Sequence, residues 1–302
     1  MPNELIKTIA GERKELMQVL NGIVPLRSVD ENIIIATWNI KKFGKKKSDR
    51  TIQYIADIIE RFDIVAIQEV MHDLDALKRL QNYLPGNYKF LVSEKSGNNE
   101  RFAFLYDKRT VVNTGFVSNL TYPVSGKTHT GYQLHRIPYA ASFKAGRFDF
   151  IVVNVHIYYG SGSAGKAERE KEIRNIVDYI HKMSSAEGSR VFDRDIFIVG
   201  DFNIAKYADK FFNALTSKKF KMPDGLDTTK TNLRQTATYD KIAWVPRKSF
   251  KFNGNFGVVP FNLAVYKGTE IRKLENIMSD HLPLWAEFQI KKLEQELDAT
   301  LR

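Results

Sequence analysis

The chain has 302 residues, 43% of them hydrophobic, and no cysteine, so disulfide scaffolds, thiolate metal sites and cysteine nucleophiles are excluded. Forty-six Lys and Arg against 35 Asp and Glu leave a net charge of +11, which suits a polyanionic partner such as nucleic acid, or simply a basic surface. No apolar run reaches membrane-spanning length and no secretory h-region opens the chain, so the expectation is a cytoplasmic protein with no membrane partner.

Residues 3–21 place Leu5, Ile6, Ile9, Leu16, Val19 and Leu20 at helical spacing, with Gly22 as the stop. This predicts an amphipathic helix, packed on the core as an extension over residues 1–30. The body runs over residues 31–291. Ile33-Ile34-Ile35-Ala36 reads as a strand, Asp49–Arg61 as a helix, Ile64-Val65-Ala66-Ile67 as a second strand and Asp73–Leu84 as a second helix. Strands follow near Lys89–Val92, Phe102–Tyr106 and Val111–Val117, the last two expected to form a hairpin across Asp107-Lys108-Arg109. Residues 118–135, rich in Ser, Thr, Gly and Tyr, read as a long functional or disordered loop. Strands Tyr139–Phe143 and Phe148–Val155 come next, then a Gly/Ser loop at 160–165 and a charged helix Lys166–Met183. Ile196–Val199, Lys241–Val245 and Leu284–Ile290 complete the strands, with a loop-rich stretch before the last. Residues 292–302 form a charged tail. Strands and helices alternate without a compositional break, which points to one α/β domain.

Several polar residues fall where apolar strands end. Trp38-Asn39-Ile40, Gln68-Glu69-Val70, Gly200-Asp201-Phe202-Asn203 and Ser279-Asp280-His281 each set an oxygen ligand beside buried-strand residues. Oxygen ligands at a sheet edge are suited to a hard divalent cation that works on a phosphate. His156 ends another strand, and Glu100 and Asp240 begin two more. Singly, each has a plain structural explanation: Asn39 a turn residue, Gly200-Asp201 a simple turn, Glu69 a surface carboxylate, His156 a hydrogen-bonded core histidine. Their joint occurrence at separate strand ends favours a site. Lys41, Lys42, Lys45, Lys46 and Lys47 crowd one loop around Gly44 and could track a phosphate backbone or be a solvated surface. His72, His129, His135 and His181 sit in no such motif and are read as surface or loop residues.

In this order the motifs resemble the endonuclease/exonuclease/phosphatase superfamily, most closely its deoxyribonuclease I-like branch, over about residues 33–290. The matching segments are Thr37-Trp38-Asn39-Ile40, Ile67-Gln68-Glu69-Val70, Asn99-Glu100-Arg101-Phe102, His135-Arg136-Ile137-Pro138, Val155-His156, Gly200-Asp201-Phe202-Asn203, Tyr239-Asp240-Lys241-Ile242 and Ser279-Asp280-His281. The resemblance implies a four-layer α-β-β-α sandwich of two mixed β-sheets, with the site where strand ends meet. It implies Mg²⁺ as cofactor, with Mn²⁺ or Ca²⁺ as substitutes or auxiliaries. Glu69 would be the principal metal ligand, with Asn39 and Asp280 close by. Asp201 and Asn203 would position the attacking water and a phosphate oxygen, and His156 and His281 would face the scissile phosphate. Glu100 would orient His156, and Asp240 would orient His281. Arg136, Tyr239, Lys41 and Lys42 would bind substrate phosphate.

The implied activity is a DNA endonuclease of low sequence specificity that leaves 5′-phosphate and 3′-hydroxyl ends. Its rivals are a phosphatase or phospholipase of the same superfamily and, more distantly, a silent nucleic-acid-binding module. The Tyr239-Asp240-Lys241-Ile242 segment resembles the nuclease branch more than the inositol phosphatases. Two departures concern DNA reading. Met71 stands where deoxyribonuclease I has an arginine that enters the minor groove, and Asn98 where it has a tyrosine that packs on DNA. Tyr122 or Tyr132 could supply a replacement wedge.

Overall fold

The computed structural model describes residues 2–121, 133–185 and 192–290. In chain order the elements are α1 (Pro2–Ile23), β1 (Asn32–Phe43), α2 (Asp49–Ile59), β2 (Ile64–Met71), α3 (Asp75–Tyr83), β3 (Tyr88–Val92), β4 (Glu100–Asp107) and β5 (Val112–Asn119). Then come β6 (Tyr139–Ala145), β7 (Phe148–His156), α4 (Gly162–Ser185), β8 (Ile196–Asp201), α5 (Lys210–Thr216), β9 (Asp240–Trp244), β10 (Phe250–Val258), a 3-10 turn (Phe261–Leu263), α6 (Ile271–Ile277) and β11 (Leu284–Ile290). The strands form two sheets, six strands in the order β10-β11-β1-β2-β4-β3 and five in the order β5-β6-β7-β8-β9. Each is mixed, because β1 runs parallel to β2 and β7 parallel to β8 while the other pairs are antiparallel.

Strands apolar on both faces can only sit in the middle of such a stack. In β1, Ile33 and Ile35 enter the core between the sheets, where they meet Phe143, Phe150 and Phe197. Ile34, Ala36 and Trp38 face the other way, into a core with Tyr54, Ile55 and Ile58 of α2 and Leu16 and Leu20 of α1. The outer face of the five-stranded sheet carries Ile151, Val153, Ile196 and Ile198, covered by Ile173, Ile176, Val177 and Ile180 of α4. Helix, sheet, sheet and helix are thus the four layers.

The expected hairpin across Asp107-Lys108-Arg109 is overturned. Both edges of β4 are already occupied by β2 and β3, so β5 leaves this sheet and pairs with β6 in the other. Asp107 is buried at the crossing and accepts hydrogen bonds from Arg27, Asn87 and Arg109. The loop expected at 160–165 is shorter than its composition implies: α4 starts at Gly162. Gly160 and Gly165 pack backbone to backbone, an approach that side chains would forbid. β10, α5 and α6 lie where a loop-rich stretch or no element was expected. β10 carries Asn253-Gly254-Asn255 and is an edge strand with a half-polar surface, so its alternation is weak. The centre of the 118–135 loop, with Tyr122 and Tyr132, and the tail 292–302 lie outside the described residues.

Candidate active site

Parallel strands end, and their antiparallel neighbours begin, at one end of the sandwich. That topology gathers the polar residues. In the five-stranded sheet the register sets His156 beside Asp201 and Asp201 beside Asp240, three neighbours in one row. Gly200 makes the close approach possible: its φ is +141°, and a Cβ there would run into the Val155 carbonyl. In the six-stranded sheet the registers of β2 against β1 and against β4 both shift between Ile67 and Val70, and Glu69 takes a left-handed φ of +59°. A bulge re-aims a side chain. Here it turns the Glu69 carboxylate onto Asn39 Nδ2 (3.0 Å) and the Lys42 backbone N–H (3.0 Å).

Asn39 joins the two sheets. Its Nδ2 also donates to Asp201 Oδ2 (3.2 Å), so its Oδ1 must point elsewhere, and that buried oxygen has no partner. Beneath it, Gln68 Nε2 donates to Thr37 Oγ1 (3.0 Å) and Asn154 Oδ1 (2.7 Å), while Asn154 Nδ2 donates to the carbonyls of Ile67 and Ala103. This polar bolt through an apolar core holds the sheets in register under the site.

Asp201 Oδ2 lies 3.5 Å from His156 Nε2 and 3.6 Å from His281 Nε2. His281 Nδ1 is 2.8 Å from Asp240 Oδ2, in hydrogen-bond contact. Burial works to lower the His281 pKa, but Asp240 and Asp201 outweigh it and raise the imidazole to about 10. Burial likewise opposes ionisation of Asp201, yet the two histidines hold its pKa below the ordinary value. His156 Nδ1 faces Glu100 Oε2 at 3.4 Å without a well-formed hydrogen bond, and Arg136 Nε donates to the same oxygen at 2.8 Å. Burial pushes Glu100 up, but His156 and Arg136 prevail and bring it to about 2.

The segment bearing His281 is fixed from several sides. Ser279 Oγ donates to the Asn39 carbonyl (2.6 Å) and accepts from the His281 N–H (3.1 Å), and Trp38 Nε1 donates to the His281 carbonyl (3.0 Å). Asp280 lies at the rim with its carboxylate on Lys41 Nζ at 3.2 Å. The Tyr239 ring is 5.7 Å from that of His281. Asn203 gives an amide hydrogen to the Ile157 carbonyl (2.7 Å), and its backbone N–H caps Asp201 Oδ1 (2.9 Å).

One sequence-based expectation about these residues needs correction. Lys47 does not face the loop's solvent side: it is buried, and its ammonium donates to the carbonyls of Asn276, Ile277 and Met278 at the end of α6. Burial lowers its pKa to about 8, against the opposing pull of Asp280 and Glu69. His135 is an exposed loop residue as expected, and it has partners: its Nδ1 meets Glu172 Oε1 at 2.9 Å and its ring stacks on Tyr158. Glu172 and Arg169 are site-supporting residues that motif reading missed. Both are charged yet sit at helical spacing with Ile173, Ile176 and Ile180 on the buried stripe of α4, and that was the available signal.

Do these residues suit a divalent cation? Asn39 Oδ1 is an orphaned buried oxygen beside Glu69, and oxygen donors suit a hard ion. Asp201, Asp240 and His281 also bring ligand atoms within 4.8 Å of one another, although His281 Nδ1 is already committed to Asp240. The donor set fits.

The family model described as the Endonuclease/Exonuclease/phosphatase family matches residues 36–247. A deoxyribonuclease from Thioalkalivibrio sp. (strain K90mix) is 27% identical over 282 residues, covering 88% of this chain and 74% of that protein. Deoxyribonuclease-1 from Bos taurus is 28% identical over 293 residues, covering 89% and 96%. Among solved structures, a mannosyl-6-phosphatase from Bacteroides thetaiotaomicron VPI-5482 has the same fold, with a TM-score of 0.59 at 19% identity over 85% of this chain and 99% of that one.

Proposed function

This chain belongs to the endonuclease/exonuclease/phosphatase family of hydrolases, in its deoxyribonuclease I-like branch, and from that membership we propose that it is a Mg²⁺-dependent endonuclease cleaving DNA with low sequence specificity. The observation that carries the reading is one carboxylate oxygen, Asp201 Oδ2, shared by two imidazoles and the Asn39 amide at the meeting point of the two sheets. Relatives that are deoxyribonucleases, at modest identity over nearly the whole chain, favour a nuclease over a phosphomonoesterase.

In this reading Glu69 and Asn39 Oδ1 hold the cation, with Asp280 at the rim. A bound Mg²⁺ would neutralise phosphate charge and acidify a bound water, and Mn²⁺ or Ca²⁺ could substitute or assist. His281, kept protonated by Asp240 and Asp201, supplies a fixed positive charge with its Nε2 toward the phosphate. His156 presents Nε2 from the other side, with Glu100 behind its Nδ1. Asp201 is held ionised between them and is suited to accept a proton from water, while Asn203 fixes its second oxygen. Arg136 adds a cation at the edge of the site, and Tyr239 a hydroxyl. Water attack at phosphorus, with departure of the 3′ oxygen, leaves 5′-phosphate and 3′-hydroxyl ends.

The test is purified protein with supercoiled plasmid, linear duplex, single-stranded DNA, RNA and a phosphomonoester, each with Mg²⁺ and with EDTA. Nicking of plasmid in Mg²⁺ and none in EDTA is expected. Phosphate release from the monoester with every diester intact would turn the reading to a phosphatase, and retention of DNA without turnover would turn it to a binding module.

A further inference from the structure

The loop that follows His156 carries two tyrosines, and the fold holds them in opposite ways. Tyr158 turns inward: its ring stacks on His135 at 4.1 Å with planes 9° apart, and its backbone N–H donates to Glu172 Oε2 (2.8 Å). Tyr159 turns outward and is 56% exposed. It is not a loose surface ring. The Arg169 guanidinium lies 4.5 Å from its centroid and 4.8 Å from that of Phe211, so Tyr159, Arg169 and Phe211 form a stack. Arg169 is only 5% exposed and is anchored by hydrogen bonds to the carbonyls of Asn203 (2.9 Å) and Gly160 (3.0 Å). The same guanidinium therefore supports the Tyr159 ring and the backbone of a residue beside Asp201.

Two further facts tie the ring to the scissile-phosphate region. Tyr159 is three residues from His156, in a loop compacted by the Gly160–Gly165 contact. The Tyr239 hydroxyl is held above its ordinary pKa first by burial and then by Tyr159 and Asp201, so the two phenols are electrostatic neighbours at the edge of the site. One face of the Tyr159 ring is covered by a buried cation, and the residue is still 56% exposed. A flat ring with its rotamer already fixed loses little entropy on binding a second flat ring.

We propose that Tyr159 is a stacking platform for one unpaired base of the strand whose phosphate is bound between His156 and His281. This rests on the nuclease reading and deepens it, because it names the substrate class. A base in a duplex has both faces occupied by its neighbours, whereas an exposed ring can take a base only from a single strand or a frayed end. The platform therefore favours single-stranded DNA, without sequence choice, since every base has a π-face.

The test is a binding cycle in EDTA, read by fluorescence anisotropy of end-labelled oligothymidylate at fixed salt. Wild type, Tyr159→Ala and Tyr159→Phe are each titrated with the intact strand, with strands carrying one abasic position moved stepwise along the chain, and with duplex. Base–aromatic stacking predicts a loss in Kd of about tenfold for Tyr159→Ala on the intact strand. Wild type should suffer a similar loss at one abasic position, and Tyr159→Ala should show no further loss there. Tyr159→Phe should bind within about twofold of wild type, because the ring suffices for stacking. Additive losses at every abasic position, unaltered binding by Tyr159→Ala, an equal loss on duplex, or no binding of the strand by wild type would each overturn the platform. A coupled cycle in a protein that nicks no plasmid with Mg²⁺ would support the platform and overturn only the nuclease reading. Nicking without coupling would do the reverse.

Discussion

Asn39 is the residue on which most of the site turns. Its amide nitrogen donates to two carboxylates and its buried oxygen has no partner, which makes it a spacer between Glu69 and Asp201 and, in the proposed reading, a cation ligand. Replacing it with Leu removes both hydrogen bonds and the oxygen together. Mn²⁺ titrated calorimetrically should then bind at least about tenfold more weakly, by the scale of losses seen when supports of metal ligands are removed. Equal affinity would remove Asn39 from the cation site. Glu100 is a second shared residue, since one of its oxygens meets both Arg136 and His156. Glu100→Gln and His156→Ala should each lower kcat by about 10²-fold or more, the range of positioned acid–base groups. The double variant should lose much less than the sum, because contacting groups act as one unit. Full additivity in steady-state kinetics would separate Glu100 from His156.

At the level of elements, the basic loop after Asn39 divides into two functions. Lys45 and Lys46 are exposed and free to meet phosphate, whereas Lys47 closes the C-terminal carbonyls of α6. Lys45→Ala with Lys46→Ala should flatten the salt dependence of DNA binding by about one unit of log–log slope per lost phosphate contact. Lys47→Met should leave that slope alone and lower Tm instead, since three carbonyls at the end of α6, that of Met278 buried, lose their donor. A slope change from Lys47→Met would return that lysine to the phosphate surface. Met71, the last residue of β2, packs against this loop: its side chain meets Gly44, where no larger residue would fit. The β7–β8 junction is the other sensitive element. Gly200→Ala would force Cβ into the Val155 carbonyl at a φ that L-residues avoid. It should therefore cost several degrees of Tm.

For the whole molecule, acid should act through Asp107, where the two sheets are joined. Burial raises its pKa, but Arg109, Asn87 and Arg27 outweigh that and hold it at about 2. The unfolded chain, with an ordinary value near 4, takes up the proton first as pH falls. Stability from this group is therefore present above about pH 4 and is lost as pH drops toward 2. Urea midpoints against pH should fall in that window for wild type, and Asp107→Asn should start lower and fall less steeply. Parallel curves would mean that Asp107 is not the linked group. The N-terminal helix presents a different whole-molecule question. Leu16, Leu20 and Val24 are buried against the α2 side, and Glu12 binds Arg50, Tyr54 and the Tyr266 backbone. We propose that it is an extension on a body of residues 31–291. Removing residues 1–24 should lower Tm, since each buried aliphatic contributes roughly 1.5–3 kcal/mol. Plasmid nicking should survive, because these contacts lie on the helical layer and not at the strand ends. Loss of nicking with the fold intact would make the helix part of the site.

What the sequence determined by itself was local and periodic. Apolar runs at Ile33–Ala36, Ile64–Ile67 and Ile196–Val199 read as strands, and the polar residues that follow them, Asn39, Glu69 and Asp201, stood out as site candidates. Strand ends are legible because burial stops there and polarity resumes. The order of the motifs carried the family and hence the layered fold. The rest depended on distance along the chain. That β5 abandons β4 for β6 follows from which sheet edges are already filled, which no local pattern records. That Lys47 is buried, that Glu172 answers His135, and that Arg169 stands behind both Asn203 and Tyr159 are contacts between elements far apart in sequence. A lysine or arginine looks alike in sequence whether it faces water or three carbonyls. Only the packing of one layer on another decides which, because burial is a property of the assembled core and not of the residue.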